Sequence, residues 1–168
     1  MALVKFTGTS ANTIGELPAP GTTPPDFIFT TRDLTSVSLD QFRGKNVILN
    51  IFPSVGTDTC AQSVRTFNRE AAEINNAVVL CISKDLPFAL SQFCGAEGID
   101  GVQILSDYKS KEFGDAYGVT FVDGPFEGLL ARAVVVLNSD GEVVYTELVP
   151  SIGNEPNYKA ALEALQNE

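Results

Sequence analysis

The sequence contains no histidine, and that absence removes several chemistries at once. Serine and cysteine hydrolases with a histidine base are excluded, as are His-ligated metals and haem with an axial histidine. Cysteine is scarce as well, with only Cys60, Cys81 and Cys94. An odd, sparse set is unlike a secreted disulfide framework. No CxxC occurs, so zinc sites and the usual dithiol redox motif are both missing. Basic residues number 11 against 21 acidic ones, a net charge of −10. Nucleic acid and anionic membranes both require clustered Lys and Arg, so neither is expected as a partner. There is no apolar run of about 18 residues, hence no expected membrane span. Met1–Gly8 lacks a basic segment followed by an apolar one. No signal peptide is visible, and a cytoplasmic location is the default expectation.

With 168 residues, 44% of them hydrophobic, the chain is expected to fold as a single domain, 1–168, around a substantial core. It shows no internal repeat and no low-complexity segment. Residues 1–20 read as two short alternating stretches around Thr7–Asn12, an edge β-hairpin. Pro18, Pro20, Pro24 and Pro25 mark an irregular connector. Phe27–Thr31 and Val37–Leu39 suggest a strand pair, followed by a helical turn at Asp40–Phe42. Asn46–Phe52 is a nearly continuous apolar run, as in a central strand buried on both faces.

From Thr59 to about Asn75 the period becomes helical: Cys60, Val64, Phe67, Ala71 and Ile74 share one face. A thiol opening that stripe is expected at the rim of the core, partly buried. Ala77–Ser83 reads as a buried strand holding Cys81. Asp85 is a candidate cap for a helix with Pro87 in its first turn, running to Cys94 and stopping at Gly95. A strand at Val102–Ser106 and a helix at Ser110–Tyr117 follow. Ala131–Leu137 and Glu142–Leu148 flank an Asp-Gly turn, and Asn157–Gln166 is a terminal helix. After the hairpin the order is β-β-β-α-β-α-β-α-β-β-α. A parallel β-α-β start and an antiparallel finish define an α/β, thioredoxin-like fold, with a mixed central sheet flanked by helices.

The chemistry concentrates where the central strand meets the first helix, in Phe52-Pro53-Ser54-Val55-Gly56-Thr57-Asp58-Thr59-Cys60. A thiolate in a first helical turn faces unpaired N–H groups and the positive end of the helix dipole. Taken alone, the same position suits a small buried cysteine. Thr57 can cap the helix, or turn its hydroxyl towards the sulfur or the group the sulfur attacks. Pro53 can be a plain strand stop, and it also removes an N–H that would compete for the site. Arg132 is the lone charge in the apolar stretch Leu129–Leu137. A buried guanidinium must find an anion, either a carboxylate or the Cys60 thiolate.

Without histidine, a thiolate has to be held by other means. A free thiol is only a few per cent ionised near neutrality, and keeping one mostly ionised takes roughly 3 kcal/mol. A helix start supplies about 1 kcal/mol, or ~2 when partly buried. An arginine is the natural source of the remainder. Cys94 suits either ordinary packing or attack on an oxidised Cys60. With both on helices, closing a disulfide would require their ends to fray. Cys81, inside an apolar strand, reads as inert packing.

Pro53-x-x-x-Thr57-x-x-Cys60 resembles the active-site signature of the peroxiredoxins. Longer stretches are similar to the bacterial thiol peroxidases, an atypical two-cysteine subfamily. They are Ser63-Val64-Arg65-x-Phe67-Asn68, Val78–Ser83, Asp85–Ala89, Phe93–Gly98 and Gly128-Leu129-x-Ala131-Arg132-Ala133-Val134-Val135-Val136. The resemblance implies that Cys60 is the peroxidatic cysteine and Cys94 the resolving one, joined in an intramolecular disulfide. Thr57 and Arg132 then position the peroxide and stabilise the thiolate, and Pro53 shields the site. It further implies a homodimer, thioredoxin as reductant, organic hydroperoxides and hydrogen peroxide as substrates, and no metal or organic cofactor. The loop departs from the family pattern at Gly56, where Asp is common, and at Asp58 and Thr59, which replace small or apolar residues. Two rival readings are a disulfide oxidoreductase, against which the missing CxxC counts, and a non-catalytic redox sensor.

Overall fold

A computed structural model describes residues 1–71 and 74–166. In chain order the strands are β1 (Leu3–Phe6), β2 (Thr9–Asn12), β3 (Ile28–Thr31), β4 (Ser36–Ser38), β5 (Asn46–Ile51), β6 (Ala77–Ser83), β7 (Gln103–Ser106), β8 (Ala133–Leu137) and β9 (Val143–Leu148). The helices are α1 (Asp58–Ala71), α2 (Pro87–Glu97), α3 (Glu112–Ala116) and α4 (Tyr158–Gln166), with a 3-10 turn at Leu39–Phe42. β3 to β9 form one sheet in the order β4-β3-β7-β6-β5-β8-β9. β5, β6 and β7 run parallel, and the flanking pairs are antiparallel. This is the expected thioredoxin-like arrangement.

The central strands are buried on both faces, which explains their unbroken apolar runs. In β5, Val47, Leu49 and Ile51 join the core on one side, together with Phe29, Phe113 and Phe121. Ile48 joins the other, with Cys60, Val64, Phe67, Cys81 and Cys94. The same alternation divides β6 and β8, as the two-residue period of a strand requires. All three cysteines therefore lie on one side of the sheet.

Several boundaries differ from expectation. The β1–β2 turn is only Thr7-Gly8, so Thr9–Asn12 is strand. Gly8 takes φ 77° there, a left-handed conformation that costs glycine little. α1 starts at Asp58; its expected continuation to Asn75 crosses residues 72–73, outside the described residues, and Ile74 is not helical. Nothing is assigned to the Ala71 side chain expected on its stripe. α2 does not stop at Gly95: it runs on to Glu97 and ends at Gly98, whose φ of 66° is the left-handed cap. Cys94 is thus inside the helix, and Ile99 N–H bonds its carbonyl at 3.1 Å. Arg132 lies just ahead of β8, and its carbonyl accepts the Val149 N–H at 3.0 Å.

The hairpin is tied to the domain at the segment following β9. Lys5 N–H bonds Pro150 O at 2.8 Å, and Ile152 N–H bonds Lys5 O at 2.9 Å. Among the described residues, no helix is long and apolar enough to cross a membrane.

Candidate active site

Cys60 is the third residue of α1, and Thr57 is the residue before its first turn. The Thr57 hydroxyl accepts the Cys60 N–H at 3.3 Å and donates to Ser54 O at 3.2 Å. It therefore caps the helix, and its bonds go to backbone rather than to the sulfur. Pro53 is buried between β5 and this loop. The Cys60 side chain is also fully buried rather than partly exposed at the rim. The reason is a neighbour far away in sequence: the 151–153 segment closes over the helix start, where Thr59 Oγ1 donates to Gly153 O at 3.3 Å.

Arg132, 2% exposed, resolves its two candidate partners in favour of the cysteine. Its Nη1 donates to Cys60 Sγ at 3.1 Å, and its Nη2 to Ile152 O at 2.7 Å. Among the described residues it forms no ion pair with a carboxylate. Nε is buried and has no hydrogen-bond partner there. A cation held out of water beside a sulfur, at a helix start, is an environment suited to a thiolate. It also leaves Nε as the one guanidinium nitrogen with no acceptor among the described residues, a donor for an incoming oxygen.

Below the helix start, Asn50 and Ser63 form a small buried polar group. Asn50 Nδ2 donates to Ser63 Oγ at 3.2 Å, and Ser63 Oγ donates to Cys60 O at 2.7 Å. This fixes the cysteine backbone from the sheet side. The profile of the family named Redoxin matches residues 19–162 of the chain. The chain belongs to the redoxin family.

This redoxin is 58% identical to proteins named thiol peroxidase from Mycobacterium bovis and Mycobacterium tuberculosis. Each match spans 165 residues, covering 98% of this chain and 99% of the relative. Among solved structures, a peroxiredoxin-like protein from Aquifex aeolicus superposes with a TM-score of 0.93 at 29% identity, covering 99% of this chain and 97% of that one. A thiol peroxidase from Chromobacterium violaceum gives 0.90 at 20% identity, covering 98% and 95% of the two chains, and bears on the fold alone.

The other two cysteines of the redoxin differ sharply. Cys81 is enclosed, and burial pushes its thiol up to about 12, consistent with inert packing. Cys94 is 4% exposed and lines a cleft of about 260 Å³ together with Arg32. Burial pushes its thiol up, and the nearby Arg32 charge opposes that shift. All three cysteines are free. Cys60, Thr57, Arg132 and Pro53 thus meet around the start of α1, and Cys94 lies on α2, on the cleft it shares with Arg32.

The sequence does not mark three contributors as part of the site. The Ile152 carbonyl has no side-chain signature. Arg32 sits in an ordinary turn after β3. Asp85 was expected to cap α2, but the cap position is Leu86, with no side-chain bond. The Asp85 carboxylate is occupied elsewhere: it accepts Ser54 Oγ at 2.6 Å, Val55 N–H at 2.9 Å and Ser83 Oγ at 2.7 Å. A carboxylate just before a proline-headed helix signals a cap, and only the fold brings the 54–55 loop within its reach.

Proposed function

We infer that this redoxin is a thiol-dependent peroxidase in which Cys60 attacks the peroxide and Cys94 resolves the product. The observation that carries the reading is the 3.1 Å contact between Arg132 Nη1 and Cys60 Sγ, two buried groups at a helix start. The Cys60 thiolate attacks the terminal oxygen of a hydroperoxide, organic or H2O2. The O–O bond breaks, sulfur gains oxygen as a sulfenic acid, and the departing oxygen takes a proton to leave as alcohol or water. Negative charge develops on the oxygens, and Arg132 Nε is the donor with no other acceptor among the described residues. Thr57 holds the Cys60 amide in place, and buried Pro53 keeps water from the sulfur.

The Cys94 thiol then displaces water from the sulfenic acid, giving an intramolecular disulfide. An external dithiol of the thioredoxin type reduces it by exchange. Three cysteines, an odd and sparse set unlike a disulfide framework, support work in a reducing compartment, the cytoplasm. Exposed Leu34 and Phe88, which line one surface cleft, support a homodimer, since scattered single apolar residues need no partner but a cluster does.

The test is thioredoxin-coupled peroxide consumption together with a free-thiol count. Turnover that disappears in Cys60→Ser, with a trapped sulfenic acid in Cys94→Ser, is the expected result. Oxidation of the thiols without turnover would make the protein a sensor, and three thiols surviving peroxide would overturn both.

A further inference from the structure

The cycle sets the Cys60 loop two opposing tasks. For the peroxide step, Cys60 must stay against Arg132. For the disulfide, its sulfur must leave Arg132, because Cys60 and Cys94 are both free thiols in this arrangement and a disulfide brings its sulfurs to about 2.05 Å of each other. Whatever fastens the loop therefore sets the balance between the two steps.

The fastening is concentrated on one carboxylate. Asp85 accepts hydrogen bonds from the Ser54 hydroxyl and the Val55 N–H. Ser54 passes the connection on: its Oγ accepts the Gly56 N–H at 3.0 Å, and its carbonyl accepts both the N–H and the hydroxyl of Thr57. Thr57 in turn holds the Cys60 N–H. A continuous path of hydrogen bonds thus runs from the Asp85 carboxylate to the Cys60 amide. Asp85 is itself held from two strands, by Ser83 Oγ of β6 on its carboxylate and by Ser106 Oγ of β7 on its carbonyl at 2.5 Å. It also stands two residues before Pro87, where the helix carrying Cys94 begins. One residue joins the loop that must open to the segment leading into the helix that must be met.

We propose that Asp85 is a positioning residue, a latch that holds the 54–57 loop closed for the peroxide step and is released for disulfide formation. Charge-assisted hydrogen bonds are strong enough to hold a loop and few enough here to break together. The inference rests on the peroxidase reading and adds a division of labour to it. A loosened latch slows oxidation of Cys60 and speeds its resolution. It also lowers the competing reaction, in which Cys60 sulfenic acid reacts with a second hydroperoxide to give sulfinic acid and an alcohol, because the sulfenic acid is consumed sooner.

The experiment uses Asp85→Asn and Ser54→Ala in the full chain, with thermal melts recorded for each. Cys60 oxidation is followed by sulfenic-acid trapping in a Cys94→Ser background. Disulfide formation and sulfinic acid per turnover are followed by mass spectrometry with Cys94 present. Asp85→Asn is expected to slow oxidation about tenfold and to speed disulfide formation several-fold, with less sulfinic acid. Ser54→Ala should move both rates the same way by less, and the double variant should add little to Asp85→Asn. Rates that stay at wild-type values, or fall together in step with the melting temperature, overturn the latch; if Asp85→Asn does not fold, the Ser54→Ala rates decide alone. Wild-type protein that forms no sulfenic acid would instead overturn the peroxidase reading itself.

Discussion

Arg132 Nη1 lies 3.1 Å from Cys60 Sγ across 72 residues of sequence. Neither group has meaningful access to water: the cysteine is fully buried and the arginine 2% exposed. A guanidinium cannot shed its proton to escape such a place, so the structure must supply a counter-charge or acceptors. It supplies a sulfur on Nη1 and a carbonyl on Nη2. The second bond depends on the segment after β9, which the N-terminal hairpin pins through Lys5.

Arg132→Lys should therefore be a severe change despite keeping the charge. An ammonium cannot reproduce the fork that reaches Sγ and Ile152 O together. The expected loss in kcat/KM for hydroperoxide is about 10- to 100-fold, corresponding to the roughly 1.5–3 kcal/mol of a hydrogen bond to a charged group. Steady-state kinetics with thioredoxin recycling measures it, and a loss below twofold would remove Arg132 from the site.

The cysteines are expected to separate cleanly. One equivalent of an organic hydroperoxide should leave a single free thiol in the wild-type chain, the unreactive one of Cys81. Burial holds that thiol at about 12, far from a reactive thiolate at neutral pH. Cys81→Ser should keep most of the turnover, whereas Cys94→Ser should lose recycling by thioredoxin while still consuming one peroxide. Alkylation followed by peptide mapping distinguishes the three positions.

Burial raises the Cys94 thiol above its ordinary range, and Arg32 works against that rise. Only the thiolate attacks, so disulfide formation should accelerate steadily as pH rises, and keep rising past the ordinary thiol range. Removing the opposing charge in Arg32→Ala moves the profile further up, making the step several-fold slower at neutral pH and equal to wild type at high pH. Rapid quench with an alkylating agent reads the step directly. Superimposable profiles would show that Arg32 does not act on Cys94.

Stability carries its own pH signature through Asp107. Burial pushes this carboxyl up to about 6 from its ordinary 3.8, although Lys84 lies 3.0 Å away and opposes the shift. The folded chain thus binds the proton more tightly than the unfolded chain. Its contribution to stability is full below about pH 3.8 and is lost as pH rises through about 6. Between about pH 5 and 7 the wild-type protein should lose about 1 kcal/mol from this source, and Asp107→Asn should not. The depressed carboxyls of Glu97 and Asp123 act in the opposite sense, at lower pH. Urea unfolding of both proteins at the two pH values provides the comparison.

The sequence alone determined the elements and the candidate nucleophile. Alternation and helical spacing are local, so the order of strands and helices could be read from them, and the apolar runs of β5, β6 and β8 already announced burial on both faces. Cys60 at a strand-to-helix junction, with Thr57 and Pro53 before it, is likewise a local pattern. The exact helix ends were less legible, because Gly95 and Gly98 both offer a stop. Gly98 closes α2, in the left-handed conformation.

Tertiary structure decided the partnerships. Arg132 could have met a carboxylate or the thiol, and the pairing of β5 with β8 put it beside Cys60. Asp85 carried the signature of a helix cap, yet the parallel pairing of β5 with β6 brought the loop after β5 within its reach, and its carboxylate went to Ser54 and Val55. The full burial of Cys60 came from a segment more than ninety residues downstream. Such contacts depend on which strands lie side by side, and no local period of the sequence encodes that neighbourhood.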